Sequence, residues 1–226
     1  VADTTTTLNI TGAGGVTIDL VGMKDASTAD TDVATINAAD ATGNVTIGKD
    51  GTDFQATDTD DFAITLGSGT NTVYGEAALD DGDTITGTTG TDTVDLVNNT
   101  GAVNLVNIDT VALSGSSTGT YTASAENWSD IGAVTVAMGS GSRTITNIDT
   151  TLAGGKITVT DDIDSSDTLT LTGATGVTAM EVTLSGTAIS AGTLATNATD
   201  LTINVESHDS GATTAIDEKV ILNATQ

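Results

Sequence analysis

The chain has 226 residues, of which 31 are acidic and 5 basic, giving a net charge of −26, and it holds 26 glycines but no proline and no cysteine. Without cysteine there are no disulfides, thiolate metal sites or cysteine nucleophiles. Five scattered bases (Lys24, Lys49, Arg143, Lys156, Lys219) form no patch for a nucleic acid, and no run approaches the roughly 18 apolar residues that cross a bilayer.

The predicted elements are short strands in close succession. In chain order they fall at 5–10, 16–21, 33–36, 45–47, 62–66, 72–74, 93–97 and 103–106. They continue at 110–113, 134–137, 143–145, 156–159, 168–171, 181–184, 201–205 and 220–222. Alternation is clearest in Lys156-Ile157-Thr158-Val159-Thr160 and Thr168-Leu169-Thr170-Leu171-Thr172, with aliphatic side chains on one face and Thr on the other. Clusters of Gly, Asp, Asn and Ser separate the strands and supply turns. Only 123–131, around Trp128, offers a helical turn, and no amphipathic helix of ten residues is present, which argues against α/β folds.

An all-β chain with strands at this spacing is either a parallel β-solenoid (β-helix) or a β-sandwich. Aromatic residues make up 2% of the chain, so an inward ladder of aliphatic residues fits better than the ring-rich core of a sandwich. Approximate repetition points the same way: Asn107-Ile108-Asp109-Thr110 recurs as Asn147-Ile148-Asp149-Thr150, each copy followed by a short apolar stretch and a small-residue turn. Coils of ~20–25 residues are expected. Mean hydropathy of +0.08 and 37% apolar residues argue against disorder. Residues 1–226 read as a single all-β domain, and the opening at Val1, with no initiator Met or leader, is expected of a segment of a longer secreted chain.

The acids concentrate in turns. Gly67 to Gly75 is a glycine turn closing onto a strand, and Asp83-Thr84-Ile85 and Asp92-Thr93-Val94 repeat acid, Thr and aliphatic nine residues apart. A hard cation such as Ca²⁺ takes 6–8 oxygens, which such turns offer as carboxylates and glycine carbonyls. The expected ligands are Asp80, Asp81, Asp83, Asp92, Asp95 and Asn71, with backbone oxygens of Gly67, Gly69, Gly87 and Gly90. The clusters at 30–32, 58–61 and 161–167 lack convergent glycines and read as solvated loops.

Gly87-Thr88-Thr89-Gly90-Thr91-Asp92-Thr93-Val94-Asp95 resembles the glycine-rich nonapeptide of RTX proteins, with Thr88 at the second glycine. That resemblance implies a Ca²⁺-binding β-roll near 67–95. It departs in two places: 78–86 lacks three of the glycines, and Asn71 stands where the pattern has Asp. Over most of the chain, the Thr/Gly/Asp bias and stretches such as Val106-Asn107-Ile108-Asp109-Thr110-Val111-Ala112-Leu113-Ser114-Gly115 resemble crystalline surface-layer proteins of Gram-negative bacteria. Many of those are RTX-related and leave by type I secretion. The resemblance implies a secreted, extracellular structural protein at the cell surface. It would bind copies of itself in a lattice held by Ca²⁺, with cell-surface polysaccharide met through other domains and no membrane insertion. RTX adhesins and biofilm-matrix modules share the composition and supply the alternative function.

Catalysis is not expected. His208, the one histidine, sits in the turn-like Glu206-Ser207-His208-Asp209-Ser210, where adjacency to Ser and Asp does not make a triad. Paired carboxylates on a β-helix could hydrolyse a polysaccharide, but Phe54, Phe62, Tyr74, Tyr121 and Trp128 form no stacking cluster along the sequence. Trp128 reads as the plug of a local core or of a solenoid end.

Overall fold

The computed structural model describes residues 6–18, 33–48, 61–75, 79, 81–97, 101–115, 120–139, 141–161, 163, 167–185, 192–206 and 221–224. The strands begin with β1 (Thr7–Asn9), β2 (Val16–Ile18), β3 (Thr35–Asn37), β4 (Val45–Ile47), β5 (Ala63–Thr65), β6 (Thr70–Gly75) and β7 (Thr84–Thr86). There follow β8 (Thr91–Leu96), β9 (Asn104–Val106), β10 (Thr110–Leu113), β11 (Thr120–Ser124), β12 (Trp128–Ser129), β13 (Ala133–Val136) and β14 (Ser142–Ile148). After helix α1 (Thr150–Ala153) come β15 (Gly154–Val159), β16 (Thr168–Gly173), β17 (Ala179–Ser185), β18 (Thr193–Thr196), β19 (Asp200–Glu206) and β20 (Ile221–Ala224). Every described strand pairing is parallel, and each strand pairs with one a whole coil away. The chain is a parallel β-solenoid, and the sandwich alternative is set aside.

Internal contacts divide the chain into two compact units, Val1–Val111 with Asn127–Gly132, and Ala112–Glu126 with Ala133–Gln226. In the first, β1, β3, β5, β7, β9 and β12 form a six-stranded sheet, and β2, β4, β6 and β8 pair in succession in another. Glycine turns carry the chain from one sheet to the other, β5 to β6 and β7 to β8. In the second unit, β11, β14, β16, β18 and β20 form a five-stranded sheet, and β13, β15, β17 and β19 pair in succession.

In-register aliphatic ladders make the core. Ile36, Ile64, Ile85 and Leu105 stand opposite one another in successive strands, each at most 1% exposed. Each such side chain removed from water contributes about 1.5–3 kcal/mol, and the Thr residues between them face outward. Trp128, 6% exposed, stands opposite Leu105 on the last strand of the six-stranded sheet, as expected of a plug. It does so on a strand, so the helical turn expected over 123–131 is not formed. Pairing with β9 requires extended backbone there, and the chain bends only at Glu126 and Asn127.

Coil length varies with the loops. Thr84 lies opposite Asn104, 20 residues on, whereas Val16 lies opposite Val45, 29 residues on. The expected ~20–25 residues per coil therefore holds only where the connections are short. The repeated tetrapeptide keeps its conformation but changes use. Asn107 and Asn147 are both left-handed, at φ 55° and 57°, and Ile108 and Ile148 are both 0% exposed. After Asp109 the chain enters β10, as expected. Asp149 instead caps α1, accepting from the N–H groups of Thr151 (2.9 Å) and Leu152 (2.8 Å), so no apolar strand follows the second copy.

Candidate functional site: the buried polar corners

In the first unit the glycine turns stack. A Cβ on Gly43 would meet Gly14 O, one on Gly69 would meet Gly43 O, and one on Gly90 would meet Gly69 O. Only glycine lets successive turns lie this close, and their closeness brings polar side chains from neighbouring coils together. Asn71 and Asp92, directly opposite in β6 and β8, are both 0% exposed.

Asn71 is bonded on every side. Its Oδ1 accepts the Val45 N–H of the preceding coil at 3.0 Å. Its Nδ2 donates to Gly67 O at 2.8 Å, Gly69 O at 3.3 Å and Asp92 Oδ1 at 2.7 Å. Asp92 Oδ2 accepts the Thr88 N–H at 2.9 Å, and the Asp92 N–H donates to Asp109 Oδ2 at 2.8 Å. Thr88 Oγ1 donates to Gly67 O at 2.8 Å, and Asn44 Oδ1 accepts the Thr70 N–H at 3.0 Å. Burial pushes the Asp92 carboxyl above its ordinary range. The bonds from Asn71 and Thr88 pull it back, and the neighbouring Asp109 charge pushes it up again.

Glycine carbonyls and a carboxylate thus converge in the turn, as the sequence led us to expect. They converge on the amide of Asn71, which occupies the position a cation would need. Asp83, 1% exposed, accepts the Phe62 N–H at 2.7 Å through Oδ1. Asp81 is exposed, and its backbone oxygen accepts from Asn104 Nδ2 at 2.9 Å. Asp95 is half-buried opposite Tyr74. Gly87 is buried against Asn107 O and the Asp92 carboxylate. Asp80 lies outside the described residues, as do His208, Phe54 and the acids at 30, 32, 58 and 60. The donor set at Asn71 and Asp92 does not suit an RTX-type ion, because amide hydrogens fill its centre. Among the described residues no three acidic or histidine side chains group as a metal site.

The second unit holds a corner of a different kind. Arg143, 2% exposed, takes an inward position of β14 in a ladder with Leu169 and Leu194. Its Nη2 donates to Gly115 O at 2.8 Å and its Nη1 to Ser142 O at 3.3 Å, while the guanidinium lies 4.9 Å from the centre of the Tyr121 ring. Burial lowers its pKa, and the charges of Tyr121 and Asp167 act against that shift. Asp167, 2% exposed, accepts the Gly141 N–H at 2.8 Å, and Asp161 accepts the Gly139 N–H at 3.0 Å. The reading of 161–167 as a solvated loop is corrected at Asp167. The next coil supplies an N–H that must be satisfied once buried, and this carboxylate satisfies it.

Sequence reasoning missed Arg143, Asp109 and Thr88. A signal for Arg143 was available: in Ser142-Arg143-Thr144-Ile145 it shares the inward parity of Ile145. Asp109 and Thr88 needed the coil length, which the degenerate repeat does not give. Comparisons with protein families, curated proteins and solved structures return no match.

Proposed function

We propose that the chain is a structural module of an extracellular surface layer that self-assembles through Ca²⁺-bridged contacts between copies. The observation that carries this reading is the division of labour among the acids. Asp83, Asp92 and Asp167 are buried and cap backbone N–H groups, whereas Asp40, Asp61, Asp81, Glu126, Asp130 and Asp200 face outward. The buried group stiffens the coils and has no lone pairs to spare for chemistry at the surface. The outward group, on a chain of net charge −26, needs counter-ions before two copies can approach. An ion between copies would draw its oxygens from both, which suits a chain whose described acids do not cluster in threes.

Electron micrographs of the purified chain at neutral pH, in millimolar Ca²⁺ and in chelator, test the reading. Sheets or filaments that form in Ca²⁺ and dissolve in chelator are the expected result. Particles that remain monomeric across the Ca²⁺ series would remove it, in favour of an adhesin or matrix module.

A further inference from the structure

The outward face of the five-stranded sheet in the second unit is a lattice of hydroxyls. Thr122 lies opposite Thr144, and Thr144 opposite Thr170; one pleat along, Ser142 lies opposite Thr168, and Thr168 opposite Thr193. All six are half-buried, and the intervening Ala123, Ile145, Leu169 and Leu171 point into the core. Parallel-strand geometry sets the hydroxyls about 4.8 Å apart across strands and about 6.6 Å apart along them. Across β11, β14, β16, β18 and β20 the single charged residue is Arg143, which is turned inward. The other sheet of this unit bears Lys156 and Glu181, both partly exposed.

We infer that copies of this chain meet through this hydroxyl face; the inference rests on the self-assembly reading above and names its contact surface. Two properties select a second copy as the occupant. The first is charge. Sheets packed face to face lie about 10 Å apart, close to the ~8 Å screening length at physiological salt, so carboxylates on facing sheets still repel. A chain of net charge −26 can bring only an uncharged face to contact, with cations confined to the rim. The second is hydrogen bonding. A hydroxyl both donates and accepts, so a hydroxyl lattice complements itself, whereas ionised carboxylates only accept. The six-stranded sheet of the first unit is also uncharged, but one of its outward columns runs Thr35, Ala63, Thr84, Asn104, and side chains of unequal length give it no even surface.

The test uses the full chain at fixed millimolar Ca²⁺, followed by sedimentation velocity, with circular dichroism confirming each fold. Thr122→Asp with Thr170→Asp places charges on alternate strands of the face, Thr144→Val removes a hydroxyl without adding charge, and Thr65→Asp charges the six-stranded sheet instead. The aspartate pair should raise the concentration for half-assembly at least about tenfold and Thr144→Val about threefold, while Thr65→Asp should change it less than about twofold. If the pair assembles like the wild type, or Thr65→Asp disrupts as strongly, the face is wrongly assigned although self-assembly stands. If the aspartate pair fails to fold, unchanged assembly of Thr144→Val overturns the inference. A wild-type chain that never assembles overturns both readings.

Discussion

The corner around Asp92 and the corner around Arg143 both bury ionisable groups inside a solenoid, and they neutralise them by different means. At Asp92 no base takes part. The carboxylate is held by the Asn71 amide and the Thr88 N–H, with Asp109 accepting from its own N–H. At Arg143 a guanidinium spends its donors on backbone carbonyls and an aromatic face, and the Asp167 charge acts on it from the next coil. The contrast shows how a chain with five bases builds a polar interior: peptide dipoles and amides supply most of the positive potential, and the one inward arginine is placed where the coil holds an aromatic ring.

The sharpest way to break the contrast is Asn71→Asp. A second buried carboxylate would then face Asp92, Gly67 O and Gly69 O with nothing to neutralise it. In chelator this should cost about 3–5 kcal/mol. Ca²⁺ should restore part of the loss, because the corner would become an all-oxygen set. Urea unfolding with and without Ca²⁺ measures both effects, and a variant as stable as the wild type in chelator would mean that the amide is not the neutralising group. Arg143→Ala comes next. It leaves Gly115 O unpaired and Asp167 without the guanidinium charge, and should cost about 3 kcal/mol. Arg143→Lys should fall between the two, since it keeps the charge but loses the planar fork. If lysine matches arginine in urea midpoint, charge alone carries the corner.

The smallest expected effect is on pH dependence. The folded chain holds the Asp92 proton more tightly than the ordinary value of 3.8 would. The stability tied to that proton is therefore complete below pH 3.8 and is lost as pH rises through the elevated folded value. Asp109→Asn keeps an oxygen for the Asp92 N–H but removes the charge that raises Asp92. It should therefore stabilise the fold by about 0.3–0.5 kcal/mol near neutrality and by nothing in acid. Melting temperatures of variant and wild type from pH 3 to 8 test this, and a constant offset would show that the Asp109 charge does not act through Asp92.

Alternation made much of the fold legible. Val45–Ile47 and Thr110–Leu113 form with the bounds expected, and most other anticipated strands form within a few residues of theirs. Strands β7, β11, β12 and β18 were not anticipated. Their apolar residues are one or two among polar neighbours, and a strand that short is extended because the coil beside it is. The candidate site was half legible. Acids and glycines at turn spacing marked the correct turns, but the partner of each acid lies a full coil away, at separations such as the 21 residues between Asn71 and Asp92. Local spacing carries no information about that distance when loops differ in length.

By itself, then, the sequence determined that the chain is all-β, that Thr faces out and aliphatic residues face in, and that glycine turns gather oxygen atoms, since each follows from bonding or periodicity within a few residues. Only the tertiary structure decided what those oxygens bind. Stacking placed the Asn71 amide where a cation was expected, turned Asp83 and Asp167 onto N–H groups of the preceding coil, and drew Arg143 inside. The physical reason is that a buried donor or acceptor must find a partner, and in a parallel solenoid that partner is set by the register between coils.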